Sequence, residues 1–340
     1  MCTNFSLFST GKSNDYTITA RTMDFAPDLD TELRVQKRGQ SFPDLALSPV
    51  KHPLKWVNQY GYVGMQGKLG VMYAISDGIN EKGLSVASLW LPDSVYANDA
   101  SASSSSPALY NICFCEWVLG NFASVAELKA GLNKVTVINI SELDPKARVL
   151  LHYAVTDSTG ANMIVEFTNG EMQTYDSDNG VMTNAPPYPY QVTNLNSYIN
   201  LSLKNNPQEI WGQELNGSGC LGMPGDYTPP SRFVKAYMLQ QSVQYYTPTN
   251  IQEAIGLCAR ILQNFAIPMG AVVMDDNSGM DYTQWCAIRD HKNLVYYYLT
   301  QFNNNLFSVD LKQIDFSQTA TKSTPIEQQS WVSDITAKMC

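Results

Sequence analysis

A layered α+β fold, two antiparallel β-sheets with helices on the outside, is the class this sequence predicts. Three observations carry it. Strand-like runs are joined by short turn signals, so neighbouring strands pair as hairpins. Helical stretches come in consecutive pairs, which is not the order of parallel βαβ units. And the 340 residues are 44% hydrophobic and 16% charged, enough apolar material for a sizeable core.

Each element has its own signal. CTNFSLFST alternates in part, GKSND makes a turn, and YTITARTMDF runs back, giving a hairpin at the start of the chain. VMYAISDGINEKGLSVASLWL turns at GINEKG, and LHYAVTDSTGANMIVEFTNGEMQTYDSDNGVMTNAP turns at DSTG, TNG and DNG. After the low-complexity loop ASASSSS, the amphipathic spacing of PALYNICFCEWVLG predicts a helix. Ser124 and Glu127 form a capping box that opens a second helix, SVAELKAGLNK. PPSRFVKAYMLQQSV carries prolines suited to a first helical turn, and NIQEAIGLCARILQNF follows it. DYTQWCAIRD, LVYYYLTQF and LFSVDLKQIDF return to strands. No internal repeat and no clean domain boundary is visible, so residues 2–340 are read as one domain.

Composition narrows the partners. A formal net charge of −9 speaks against nucleic acid and anionic membranes. Seven cysteines, an odd number without framework spacing, give no disulfide argument for export; Cys113 and Cys115 read as buried small hydrophobes in a helix. No signal peptide and no apolar run of membrane length is visible. The chain as written is expected to be cytoplasmic, or periplasmic or secreted if Met1 replaces an export signal preceding Cys2.

Common catalytic sets fit poorly. His52, His152 and His291 read as surface or structural residues, and none has zinc-ligand spacing or lies near a G-x-S-x-G elbow. There is no P-loop and no dinucleotide-binding fingerprint. Cys2 can be self-sufficient. Once Met1 is removed it carries a thiol and an α-amine of pKa about 7.7–8.0, partly unprotonated near neutrality and able to take the thiol proton. The hairpin brings Arg21 and Asp24 alongside. Arg21 favours thiolate by its charge, and Asp24 can hold the amine. Three residues apart on a straight strand they face opposite sides, so one is expected past the strand end or at a bend.

With these residues in view, MCTNF, ARTMDF, DGINEKGLSVASL, VMTNAP, PGDYTPPSRFVKA, DYTQW and NLVYYYLTQFNNN resemble, in order and spacing, the choloylglycine hydrolases. These are the bile salt hydrolases and penicillin V acylases among the N-terminal nucleophile hydrolases. The likeness runs from Cys2 to about residue 315. It implies an αββα four-layer sandwich and hydrolysis of a nonpeptide amide by Cys2, with its own amine as base and no metal or organic cofactor. Arg21 and Asp24 match the family's residues beside that cysteine. Asn184 matches its oxyanion-hole asparagine, Arg232 its second active-site arginine, and Trp90 the residue whose backbone N–H completes the oxyanion hole. Many bile salt hydrolases carry asparagine where Trp90 stands. The aromatic wall favours a penicillin V acylase-like substrate, a small molecule with an apolar acyl group, over conjugated bile salts or N-acyl homoserine lactones. A non-catalytic ligand-binding relative is the contrasting reading; retention of the whole set argues against it. The family is commonly tetrameric, which implies a homotetramer, with residues 191–219 as an assembly loop.

Overall fold

The computed structural model describes residues 1–9, 15–42, 50–69, 72–140, 149–205, 208–210, 212–215, 217–275, 279–318, 320–327 and 331–339. Most of the predicted turn GKSND lies outside these residues, as does part of the predicted assembly loop.

Two antiparallel sheets form the centre. The first contains β1 (Cys2–Phe8) and β2 (Thr17–Phe25) from the start of the chain. It continues with strands from the far end: β10 (Met280–Asp290), β11 (Val295–Thr300) and β12 (Asn303–Asp310), in the order β1-β2-β10-β11-β12. The second is built from β3 (Glu32–Gln36), β4 (Tyr62–Leu69), β5 (Met72–Asn80), β6 (Ser85–Trp90), β7 (Leu151–Thr156), β8 (Asn162–Thr168), β9 (Glu171–Asp176) and β13 (Lys322–Pro325), ordered β9-β8-β7-β6-β5-β4-β3-β13. The opening hairpin and those read at GINEKG, DSTG and TNG are present in antiparallel register, whereas DNG leads the chain out of the second sheet to a single bridge between Met182 and Asn4.

Helices cover the outer faces. α4 (Pro229–Gln240) and α5 (Ile251–Gln263) pack on β1, β2 and β10. α1 (Phe114–Asn121) lies on β5 and β6, followed by α2 (Val125–Leu132). The result is the αββα layering. A short α3 (Tyr188–Asn194) sits beside α4. One apolar cluster fills the space between the sheets and under α4 and α5; a second fills the space under α1 and α2.

Two local predictions need correction. PALYNICFCEWVLG is not one helix: Ala108–Tyr110 is a strand, Asn111–Cys113 a 3-10 turn, and only Phe114–Asn121 is α-helical. The strand forms because Thr136–Ile138 runs parallel beside it and the Ala108 backbone bonds His52 and Leu54. Tertiary partners here override helical spacing. At α2, the Ser124 hydroxyl accepts from Glu127 N as predicted, but the Glu127 carboxylate reaches Ala123 N rather than closing back on Ser124.

Candidate active site

Alternation along β1 decides what Cys2 faces. Thr3, Phe5 and Leu7 point to the helices, where the Phe5 ring lies 6.1 Å from that of Phe265. Cys2, Asn4 and Ser6 point into the space between the sheets, where Ser6 donates to Asn162 Oδ1 at 3.1 Å. β2 pairs with β1 so that Cys2 stands opposite Met23. Met23 and Arg21 share the inter-sheet face with Cys2: Arg21 Nη2 donates to Cys2 Sγ at 3.2 Å, and Met23 Sδ is 3.9 Å from that sulfur.

Arg21 is completely buried and held by its surroundings. Nη1 donates to Ser76 O at 2.9 Å, and the guanidinium lies 5.0 Å from the Trp285 ring centroid. Asp77 is 3.8 Å away. Asp77 also accepts from Arg289 Nη1 at 3.0 Å and from the Tyr296 hydroxyl at 2.8 Å. This buried cluster therefore holds two guanidiniums against one carboxylate. Burial opposes the Arg21 charge, but the Cys2 sulfur and Asp77 outweigh it and hold the guanidinium above the usual arginine value.

Asp24 lies on the opposite face of β2, toward the helices. Its carboxylate accepts from the Thr22 hydroxyl at 2.8 Å and from the Thr283 hydroxyl at 2.5 Å. Thr283 reaches it because β10 changes register against β2 between Thr283 and Trp285. That bulge puts Thr283 on the helix side while Trp285 faces Arg21 between the sheets. Burial pushes the Asp24 carboxyl above the usual value, against the amino terminus, Arg232 and the two hydroxyls.

Arg21 and Asp24 thus both lie inside β2, and neither is past its end or at a bend. They face opposite sides as alternation demands and serve different parts of the first residues. With Met1 in place, the Met1 amine donates to the Asp24 carbonyl and the Met1 carbonyl accepts from Asp24 N at 2.9 Å. The carboxylate itself is taken by the two threonines.

The other face of Cys2 is held by residues distant in sequence. Cys2 N donates to Asn184 Oδ1 at 2.8 Å, and Arg232 Nη2 donates to the same oxygen at 2.7 Å. Arg232 Nη1 donates to Cys2 O and, at 2.7 Å, to Thr3 Oγ1. Its Nε donates to Tyr227 O at 2.8 Å. Two donors on Oδ1 fix the orientation of the amide, so Asn184 Nδ2 donates to Trp90 O at 2.6 Å. Nδ2 carries two hydrogens, which leaves one for a further acceptor. Burial pulls the Arg232 guanidinium below its usual value, opposed by Asp24 and Cys2. The six predicted site residues therefore gather around the start of β1, with Arg21 and Trp90 on the cavity side and Asp24 and Arg232 on the helix side of the first sheet.

Cys2 opens onto a cavity of ≈ 240 Å³ lined mainly by apolar side chains, among them Met23, Phe25, Leu29, Ile75, Trp90 and Leu151. The Trp90 and Phe25 rings stand 6.4 Å apart at its wall. Cys115 also lines the cavity, and burial pushes its thiol up strongly, which disfavours the thiolate. Among the described residues no group of three or more His, Cys, Asp or Glu is placed to hold a metal, and no helix is long and apolar enough to cross a membrane.

The histidines fall outside the set. His52 is exposed. His291 is buried between Thr19 Oγ1 and Gly83 O, and burial drives its imidazole down to about 3. His152 is buried against Glu166 and Thr183 O. Sequence reasoning missed Asp77, Thr283, Trp285 and Arg289. A charged residue inside an apolar strand run was the signal for Asp77 and Arg289; the bulge that turns Thr283 toward Asp24 leaves none.

Comparison with known proteins follows the same lines. The profile of the choloylglycine hydrolase family, described as linear amide C–N hydrolases, matches residues 2–324. A bile salt hydrolase/transferase from Clostridium perfringens is 31% identical over 264 residues, 75% of this chain and 78% of that protein. A penicillin V acylase from Pectobacterium atrosepticum is 30% identical over 335 residues, 93% of this chain and 82% of that protein. The structure of a penicillin V acylase from Agrobacterium tumefaciens superposes with a TM-score of 0.76 at 25% identity, covering 96% of this chain and 92% of that one.

Proposed function

The chain belongs to the choloylglycine hydrolase family of linear amide C–N hydrolases, and from that membership we propose that it is a cysteine N-terminal nucleophile enzyme that removes an apolar acyl group from a polar amine. The observation that carries this reading is the position of Cys2. Its sulfur is on Arg21, its nitrogen is on Asn184, and its side chain opens onto an apolar cavity.

Removal of Met1 turns Cys2 N from an amide into an amine. That amine takes the thiol proton, and the thiolate, opposite the Arg21 charge, attacks the substrate carbonyl carbon. The developing oxyanion takes the free hydrogen of Asn184 Nδ2 and the Trp90 backbone N–H; each such donor is worth about 10²–10³ in rate. The ammonium returns its proton to the leaving nitrogen as the C–N bond breaks and a thioester forms. Water, deprotonated by the same amine, then attacks the thioester, releasing the carboxylic acid and restoring Cys2.

A penicillin V acylase-like substrate fits best, because the tilted Trp90 and Phe25 rings give the cavity an aromatic wall suited to an aryloxy group. Conjugated bile salts are a second reading, favoured by the Clostridium perfringens relative; N-acyl homoserine lactones share the same apolar-acyl, polar-amine chemistry. We also propose a homotetramer, on the family resemblance. The test is a hydrolysis panel of penicillin V, glycocholate and a long-chain acyl homoserine lactone, with wild type and Cys2→Ala. Penicillin V is expected to turn over fastest, and Cys2→Ala to be folded and inactive. Normal turnover by Cys2→Ala would falsify the mechanism.

A further inference from the structure

Asn184 belongs to neither sheet. It sits in an irregular turn, residues 183–188, between Val181-Met182 and α3, and includes a cis Ala185–Pro186 bond. Buried irregular backbone needs partners for each polar group. Most of the partners here are side chains. Thr183 Oγ1 donates to Pro229 O at 3.0 Å, and Gln191 Nε2 donates to Asn184 O at 3.2 Å and to Pro186 O at 3.0 Å.

The two ends of the turn share one holder. At its start, Thr183 O faces His152 Nε2 at 3.0 Å. At its end, Tyr188 N donates to both carboxylate oxygens of Glu166, each at 3.0 Å. His152 Nδ1 and Glu166 Oε1 are 2.9 Å apart, and both side chains are essentially fully buried. They stand on the neighbouring strands β7 and β8, inside the second sheet.

The chemistry of the partners sets the protonation. Glu166 accepts from Tyr188 N and faces one ring nitrogen of His152; the other nitrogen faces a carbonyl, which can only accept. An ionised Glu166 therefore requires a proton on each nitrogen, an imidazolium–carboxylate pair of zero net charge. The Thr183 carbonyl and Asn184 N belong to one rigid peptide plane. A donor fixed on that carbonyl fixes the plane from which the Asn184 side chain departs. β7 also pairs with β6 so that Leu151, next to His152, stands opposite Trp90. One strand thus carries the holder of Asn184 and the neighbour of Trp90.

We propose that His152 and Glu166 are positioning residues that staple the two ends of the Asn184 turn and set the aim of its amide at the oxyanion. This rests on the reading of Asn184 as an oxyanion donor. Neither side chain lines the cavity or bonds Cys2, so the pair acts through Asn184 rather than on bound substrate.

The experiment compares H152L/E166Q with E166Q. The amide introduced by E166Q can donate to a neutral His152 ring and accept from Tyr188 N, so the single variant retains both ends of the staple. The double variant loses the Thr183 end without leaving a buried charge. Relative to E166Q, kcat on the best panel substrate is expected to fall about 10- to 100-fold, the range for a slightly misplaced group. KM is expected to stay within about twofold, because no residue of the turn lines the cavity. In an Asn184→Ala background the same change is expected to add no further loss in kcat. Equal kcat in the two variants, or a loss that adds fully to that of Asn184→Ala, overturns the proposal. Full turnover by Asn184→Ala overturns the oxyanion reading and this inference with it; impaired Asn184→Ala beside an unimpaired double variant overturns the inference alone. If the double variant does not fold, ¹⁵N spectra of histidine-labelled wild type decide. A proton on Nε2 of His152 at neutral pH supports the staple, and its absence overturns it.

Discussion

Replacing Arg21 with methionine separates charge from shape beside the Cys2 sulfur. Methionine has a similar length and fills much of the same space, while the guanidinium is lost. Opposite unit charges at the observed 3.2 Å between Nη2 and Sγ attract by about 5 kcal/mol at an effective dielectric of about 20. That figure is a ceiling, because Arg289 stays in the cluster and water can enter beside the shorter side chain. At about 1.4 kcal/mol per decade, a loss of about 10²–10³ in reactivity remains after those reductions. The fold has less at stake. Asp77 keeps Arg289 and Tyr296, and the Ser76 carbonyl keeps the Ser88 hydroxyl at 3.1 Å. The assay is the second-order rate of iodoacetamide alkylation of Cys2 at pH 7, followed by mass, beside kcat/KM. Both are expected to fall together by that factor. A folded Arg21→Met protein alkylated at the wild-type rate would show that the guanidinium does not support the thiolate, and the electrostatic reasoning would be wrong.

Four other perturbations have defined outcomes. Protein retaining Met1, prepared by blocking the aminopeptidase, should be folded and inactive and gain turnover on treatment with methionine aminopeptidase; activity with Met1 intact by mass would refute the amine as base. Trp90→Ala should raise KM about tenfold for an aromatic acyl substrate with kcat within a few-fold, since the ring is lost and the backbone donor stays; steady-state kinetics read the split, and a collapse of kcat at unchanged KM contradicts it. Asp24 has a folded pKa above the unfolded value near 3.8, so the folded state binds the extra proton and stability falls as pH rises through that window, levelling above the folded value. Asp24→Asn should therefore gain stability relative to wild type as denaturant melts move from pH 4 to 7, and a pH-independent difference would count against the assignment. Gly78→Ala should cost about 1–3 kcal/mol, because its Cβ would lie 2.7 Å from Val63 O and 2.8 Å from Leu119 Cδ1; an unchanged melting curve would show that α1 yields more easily than the contacts imply.

The sheets and the hairpin at Cys2 were legible because their signals are local. Alternation and turn residues place β1 against β2, and that alone brings Arg21 and Asp24 to Cys2. Asn184 and Arg232 are about 180 and 230 residues away, and only their motif context tied them to the site. The capture of the Asp24 carboxylate by Thr283 was not readable. It depends on Thr283 being turned by a bulge in a strand 259 residues downstream. Nor was the breakup of PALYNICFCEWVLG readable, since its strand exists only because two other segments claim its backbone. The orientation of the Asn184 amide likewise came from two donors meeting one oxygen, which no local pattern encodes.

The first sheet joins the opening hairpin directly to β10, a strand from the last quarter of the chain. During synthesis the hairpin that carries Cys2 thus waits for a strand translated long after it. Until β10 arrives, β2 has an unpaired flank, Arg21 lacks the Trp285 face and Asp24 lacks the Thr283 hydroxyl. Long-range pairing of this kind forms late and slowly. A chain that lacks β10 therefore carries Cys2 without the buried surroundings that hold Arg21 and Asp24.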